Sequence, residues 1–312
     1  MLTIHLHHPY LEEQIFKEDV VLVLGYFDGV HRGHQEVIQT GRKLADVRGV
    51  KLALMTFNQH PSIVFNKVNT EVLQPLNTPE KKACLMEKNG VDIYYIVDFT
   101  SSFASLKPQE FVEQYIVQLH AKAVVTGFDY TFGKKEVANV EKLPEYAKGR
   151  FDVITVPEFS EEQEKVSSTR IREKLDSGDI EGANELLGYR YETSGVVVHG
   201  DARGRLLGFP TANIEVPSFV RLPAIGVYVV RFFVNGHWYK GMASIGHNET
   251  FGEGRPKTLE VYILDFHEDI YGEAATVEWV HFIRGFVKFD GVDALVDQLK
   301  SDELITENFV IE

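Results

Sequence analysis

Val20-Val21-Leu22-Val23-Leu24-Gly25-Tyr26-Phe27-Asp28-Gly29-Val30-His31-Arg32-Gly33-His34 runs from five consecutive apolar residues straight into a glycine-rich turn. A strand that is apolar on both faces belongs in a sheet covered on both sides. Beyond the turn, Val37, Ile38, Gly41, Leu44, Ala45 and Arg48 recur at helical spacing, which predicts a helix over 35–48. The alternation continues downstream. Strands are expected at 51–57, 93–97, 123–126 and 153–156, with helices at 108–119 and at 78–89, the latter opened by Thr78 and Pro79. Buried strands separated by helices imply a parallel, doubly wound (Rossmann-like) α/β half.

The rhythm changes near Thr169. Two short helices, 169–176 and 180–187, precede a strand-rich half with runs at 193–198, 226–234, 238–245, 258–264 and 274–282. Gly and Pro punctuate these runs, and the next long helical pattern spans 292–307. Many short strands with turn signals predict a small antiparallel β-barrel with a C-terminal helix. The fold class is therefore α/β plus β, with domains expected at 1–185 and 186–312.

At 312 residues, and roughly 150 residues per domain, the length also fits two domains. Lys and Arg number 32 against 46 Asp and Glu, a formal net charge of −14. That balance argues against nucleic-acid and anionic-membrane partners, both of which would be repelled. The lone cysteine, Cys84, cannot form an internal disulfide, and the longest early apolar run is far short of the roughly 20 residues of a membrane helix. No secretory signal is read in the first residues, so a cytoplasmic location is expected. Oligomeric state leaves no mark in the sequence.

A strand ending in a glycine-rich turn at a helix start is a place for phosphate, because free N–H groups and the positive helix end converge there. Gly25, Gly29 and Gly33 let backbone approach a ligand closely. His31 and His34, three residues apart, share a helical face and can donate to one phosphate. Neither carries a large fixed charge at neutral pH, which suits donors that respond to charge developing in a transition state. The plainer alternative is a helix cap with an incidental surface histidine. A metal pair of His31 and His34 with Asp28 is the other, but no Cys or third His lies nearby to complete a zinc set.

In the second half, Gly195 to Asn213 holds Gly195, Gly200, Gly204, Gly208, Arg203 and Arg205. Such a run can wrap phosphate with backbone N–H groups, or it can simply be a hairpin turn. Thr211 and Asn213 fall on one side of a strand and offer hard oxygens suited to Mg²⁺ beside a phosphate. Glu260 sits in an alternating strand opposite Leu259 and Val261, where it can line the interior of the barrel or its mouth. A strand glutamate taken alone is usually a solvated surface charge.

Gly25-x-Phe27-Asp28-Gly29-x-His31-x-Gly33-His34 resembles the nucleotidylyltransferase signature of the bacterial bifunctional riboflavin kinase/FAD synthetases. Further stretches resemble that family in the same order. They are Thr56 to Pro61, Gly127 to Gly133, Val166 to Arg172, and Leu207 to Asn213. The likeness spans essentially the whole chain. It implies an N-terminal nucleotidylyltransferase domain and a C-terminal riboflavin kinase domain, using ATP as co-substrate with Mg²⁺ and acting on riboflavin, FMN and FAD. By position it implies that His31 and His34, within a nucleotide site of Gly25, Phe27, Asp28, Gly29 and Gly33, contact ATP phosphates. Ser168, Thr169 and Arg172 would close over them, and Asn58 and Asp129 would face the flavin. In the kinase half, Gly200, Gly204 and Gly208 would bind nucleotide. Thr211 and Asn213 would hold Mg²⁺, Glu260 would be the base that takes the riboflavin hydroxyl proton, and Arg284 would lie near the flavin.

Three positions depart from the family pattern. Glu136 and Ala138 stand where a basic residue and a glycine are usual, and Glu249 replaces a proline in a flap at 246–251. If the loop after Gly133 packs on the flavin phosphate, Glu136 adds repulsion, Ala138 stiffens the backbone, and Lys134 and Lys135 compensate. The expected loosening of the flap follows from Glu249. Two rival readings thus accompany sequential kinase and adenylyltransferase activity: a kinase with an impaired second domain, and a non-catalytic flavin-binding regulator.

Overall fold

A computed structural model of the chain describes residues 1–65, 74–161, 164–200, 203–247 and 257–311. It divides into two compact units, Met1–Ser167 and Ser168–Glu312.

The first unit carries strands β1 (Leu2–Leu6), β2 (Val20–Leu24), β3 (Lys51–Phe57), β4 (Ile93–Val97), β5 (Ala121–Gly127) and β6 (Asp152–Val156), and a short hairpin, β7 (Ser160–Glu161) with β8 (Glu164–Lys165). Its helices are α1 (Arg32–Arg48), α2 (Ser62–Phe65), α3 (Pro79–Lys88), α4 (Ser101–Ala104), α5 (Pro108–Val112) and α6 (Leu143–Ala147). The six long strands form one parallel sheet in the order β1-β4-β3-β2-β5-β6. All five residues of β2 are buried. Removing each such side chain from water contributes about 1.5–3 kcal/mol, so this strand anchors the sheet. After β2 the chain steps outward through β3 and β4, then crosses to the far side of β2 for β5 and β6. The strand order therefore reverses between β2 and β5, and the crevice at that reversal, beyond the strands' C-terminal ends, is where doubly wound sheets bind ligands.

Thr78 caps α3, accepting from the Lys81 N–H at 3.3 Å, with Pro79 at the first helical position as expected. The helix predicted over 108–119 begins at Pro108 but widens into a π-helical turn over Glu113–Val117. Edge strand β1 had no counterpart in the sequence reading, because its exposed residues mix polar and apolar types.

The second unit opens with α7 (Ser168–Ser177) and α8 (Ile180–Leu187), followed by β9 (Glu192–Val198), α9 (Arg203–Leu206), β10 (Thr211–Glu215), β11 (Gly226–Val234), β12 (His237–His247), β13 (Lys257–Ile263), β14 (Ala274–Arg284) and α10 (Val292–Asn308). Strands β10-β13-β12-β11-β14-β9 close into an antiparallel barrel, with β9 pairing both β10 and β14. Helices α7 and α8 pack with the barrel, so this packing boundary lies upstream of the 185/186 boundary expected from the sequence rhythm. The reason is specific. Asn184 Nδ2 donates to the Trp279 carbonyl at 2.9 Å, Arg221 Nη1 pairs with Asp176 at 2.5 Å, and Ile180, Ala183, Leu186 and Leu187 are buried. Position 249 and most of the expected flap lie outside the described residues.

Candidate functional sites

The turn after β2 is shaped by its own side chains. A Cβ at Gly25 would sit 2.6 Å from the Phe27 ring, so only glycine lets that ring fold back over the backbone. Phe27 and Gly29 take positive φ values of 55° and 78°. His31 then caps α1 and accepts from the His34 N–H at 3.3 Å. The two imidazoles stack with centroids 3.6 Å apart, and Phe27 meets His34 edge-on at 5.3 Å.

His31 is only 5% exposed. Burial pulls its pKa down to about 4, against weaker opposition from its own backbone and Asp129. Burial lowers His34 as well, reinforced by His31 and Lys82. Burial thus favours the neutral form of both rings. His34 Nδ1 is buried without a hydrogen-bond partner, a cost normally borne only where a ligand or water completes the bond.

Asp28 is buried and its Oδ1 accepts from the Leu76 N–H at 2.8 Å, so it secures the approach to α3. Asn58 is committed to the sheet: Nδ2 donates to Asp98 at 2.9 Å and Oδ1 accepts from the Phe99 N–H at 3.0 Å. Asp129, after β5, pairs with Lys165 at 3.0 Å, and the same ammonium lies 4.6 Å from the centre of the Phe128 ring. Ala138 is buried against Gly133 and its carbonyl accepts from the Phe132 N–H at 3.0 Å, whereas Glu136 is exposed. Alanine therefore fits its loop without backbone strain. Ser168, Thr169 and Arg172 stand in the first two turns of α7, in the second unit; Thr169 is exposed, Ser168 and Arg172 half-buried.

In the barrel, Asn213 lies directly across from Glu260 in the β10–β13 pair, and Thr211 Oγ1 donates to Glu260 Oε2 at 3.0 Å. Leu259, Val261 and Ile263 are the buried face of β13, and Glu260 is half-buried on the opposite face. The interior position allowed by the sequence is thus not the one adopted: alternation gives the interior to the three apolar residues. The glycines fit around this group. A Cβ at Gly200 would overlap the Asn213 amide at 2.2 Å, one at Gly204 would strike the Phe209 carbonyl at 2.3 Å, and Gly208 has φ +86°. Thr211 also lines a cavity of about 330 Å³ together with Arg205, His267, Asp269 and Tyr271.

Arg284 is engaged with the C-terminal helix. Its Nε and Nη2 reach Asp302 at 3.0 and 2.6 Å, and Gln298 donates to the same carboxylate at 2.8 Å.

The FAD synthetase family model matches residues 13–170 and the riboflavin kinase family model matches residues 187–310. The chain belongs to the bifunctional riboflavin kinase/FMN adenylyltransferase family. A relative of that name from Listeria monocytogenes is 48% identical over 99% of this chain and 98% of its own length. Another, from Bacillus subtilis, is 41% identical over 97% and 96%. A crystal structure named as a macrolide-efflux protein from Streptococcus pneumoniae shares 42% identity and a TM-score of 0.92 over 99% of this chain and 100% of that one. This member of the family is a transferase with both domains, forming FMN from riboflavin and FAD from FMN.

The sequence reading missed Lys82 and Lys165. Lys82 is the second of the pair Lys81-Lys82 and Lys165 a lone lysine, both on polar stretches, and only the fold brings them to the two loops.

Proposed function

We propose that ATP phosphorylates riboflavin on the barrel, within 186–312, and that a second ATP adenylylates FMN to FAD on the doubly wound domain, within 1–185. The observation that carries this reading is the Thr211–Glu260 hydrogen bond beside Asn213. A protein that only bound flavin would have no use for a carboxylate held next to a hydroxyl and an amide oxygen. Glu260 accepts the proton of the riboflavin terminal hydroxyl as that oxygen attacks the γ-phosphorus of ATP. The Thr211 hydroxyl spends its hydrogen on Glu260, leaving oxygen lone pairs for a cation.

Thr211 and Asn213 fit Mg²⁺. They are hard oxygen donors, and Mg²⁺ on a nucleotide is commonly held by few protein groups together with phosphate and water. Among the described residues no cluster of three His, Cys, Asp or Glu suits a metal ion. When bound, Mg²⁺ neutralises charge on the transferring phosphates. Gly200, Gly204 and Gly208 bring backbone to the same phosphates, and the 330 Å³ cavity receives the nucleotide.

On the first domain, the FMN phosphate attacks the α-phosphorus of ATP and releases pyrophosphate. Positioning and electrostatics suffice, with no protein nucleophile. His31 and His34 donate to phosphate oxygens as charge builds there, Gly25, Gly29 and Gly33 open the backbone to them, and Phe27 and Asp28 hold the turn. Ser168, Thr169 and Arg172, at the start of α7, carry hydroxyls and a guanidinium fork of the kind that suits phosphate. Asp129 faces the flavin, Asn58 frames its cleft, and Arg284 secures the flavin side of the barrel through α10. A cytoplasmic site of action accords with flavin supply to soluble enzymes. Efflux is not carried over: no helix among the described residues is long and apolar enough to cross a membrane, and both flavin family models match.

Incubation with riboflavin and Mg-ATP, followed by chromatography of flavins over time, tests the reading. FMN should rise first and FAD follow. FMN alone would point to a kinase with an impaired second domain, and neither product to a flavin-binding regulator.

A further inference from the structure

The root of the loop between β2 and α1 holds a lysine with no part in the roles above. Lys82, on the first turns of α3, extends its ammonium to the Tyr26 carbonyl and to Thr56 Oγ1, the latter at 2.9 Å. Thr56, near the end of β3, itself donates to the same Tyr26 carbonyl at 2.8 Å. The ammonium also lies 4.7 Å from the centre of the Tyr26 ring, which meets His60 edge-on at 5.0 Å. Two donors and one ring thus converge on the residue that precedes the strained Phe27 turn.

We propose that Lys82 is a positioning residue for adenylyl transfer, its ammonium fixing the Tyr26 carbonyl so that the following turn presents backbone and histidines to phosphate. This rests on the reading of Gly25–His34 as the phosphate site. With burial favouring neutral imidazoles, positive charge near the loop comes from basic side chains, Arg32, Lys82 and Lys165 among them. Among the described residues, the charged or titratable groups facing Lys82 include Asp28 from the turn, His34 from α1, and Tyr26 with His60 behind it. Burial pulls the Lys82 pKa down to about 8, and Asp28 opposes this. Above that pH the lysine becomes neutral. It can then no longer attract phosphate, and it can donate only weakly to the Tyr26 carbonyl.

The test supplies FMN and Mg-ATP directly and follows FAD against pH for the wild type, Lys82→Met and Lys82→Arg, with riboflavin phosphorylation by the same preparations as the control for intact protein. Wild-type kcat/KM for FMN adenylylation should fall on the alkaline side with a midpoint near pH 8. Lys82→Met should lose about 100-fold at pH 7, the scale of a misplaced reacting geometry. Lys82→Arg should keep most activity and carry the alkaline limb upward by more than one pH unit, since arginine stays charged. Adenylylation by Lys82→Met at the wild-type rate, or an unmoved limb in Lys82→Arg, overturns the proposal. If Lys82→Met loses the kinase as well, the Lys82→Arg profile decides alone. Should a His31→Ala/His34→Ala variant still make FAD, the phosphate-site reading itself falls, and this inference with it.

Discussion

The imidazoles of His31 and His34 stack 3.6 Å apart and 16° from parallel at the N-terminus of α1. Two protonated rings at that distance would repel strongly, which disfavours the doubly charged pair. Under the proposed reading, a phosphate held against them would offset that repulsion by supplying the opposite charge.

Replacing both with alanine should reduce conversion of FMN to FAD by at least about 100-fold, the effect of losing a donor to developing negative charge. Riboflavin phosphorylation should be unchanged, because its proposed residues lie in the other unit. A chromatographic assay started separately from riboflavin and from FMN reads both rates, and equal loss of both would contradict the assignment.

Glu260→Gln keeps the shape of the side chain and its contact with Thr211 but removes the base. FMN formation should drop by roughly 10²–10⁴-fold in kcat, the usual worth of a positioned general base. FAD formation from added FMN should persist. A glutamine variant that phosphorylates riboflavin normally would assign the base elsewhere.

Acid should weaken the first unit before the second. His31 has a pKa of about 4 when folded against an ordinary 6.5, so between those values the unfolded chain binds a proton that the folded chain refuses. The associated stability is complete above pH 6.5 and is lost as pH falls through 4. It amounts to roughly 3 kcal/mol for this residue. Urea midpoints measured at pH 7 and pH 4.5 should differ more for the wild type than for His31→Phe. An identical difference would remove His31 from the account.

Asp302 is fully buried and its charge is met by Arg284 and Gln298. Removing one partner of such a pair strands the other, so Asp302→Ala should destabilise the barrel by about 3–5 kcal/mol. Arg284→Lys should also cost stability, because an ammonium cannot reproduce the guanidinium fork. A double replacement with apolar residues should recover much of the loss. Thermal melts of the three variants, with the first unit's transition as reference, check the order.

Much of this was legible from residues alone. The apolar run 20–24 and its glycine turn announce a central parallel strand with a ligand crevice beyond it, and the alternation at 258–264 announces a barrel strand with Glu260 on its polar side. What escaped depended on partners distant in sequence. Lys82 reads as one more solvated lysine until β2 and β3 bring Tyr26 and Thr56 to it. Asn58 and Arg284 were expected at the flavin, but their polar groups are also used to join strand ends and to hold α10, contacts that no local pattern announces. The turn of π-helix at 113–117 interrupts a periodicity that looked continuous, since Tyr115 and Ile116 remain buried through it.

The packing of α7 and α8 changes what would travel if the barrel were moved into another protein. A graft starting at residue 187 would leave behind Asn184, and with it the amide that occupies the Trp279 carbonyl and the oxygen that receives the Tyr191 N–H at 2.7 Å. It would also bare the barrel wall that Ile180, Ala183 and Leu186 now cover. The compact unit begins at Ser168, and it takes with it the start of α7, whose first residues the FAD synthetase family model counts with the other half.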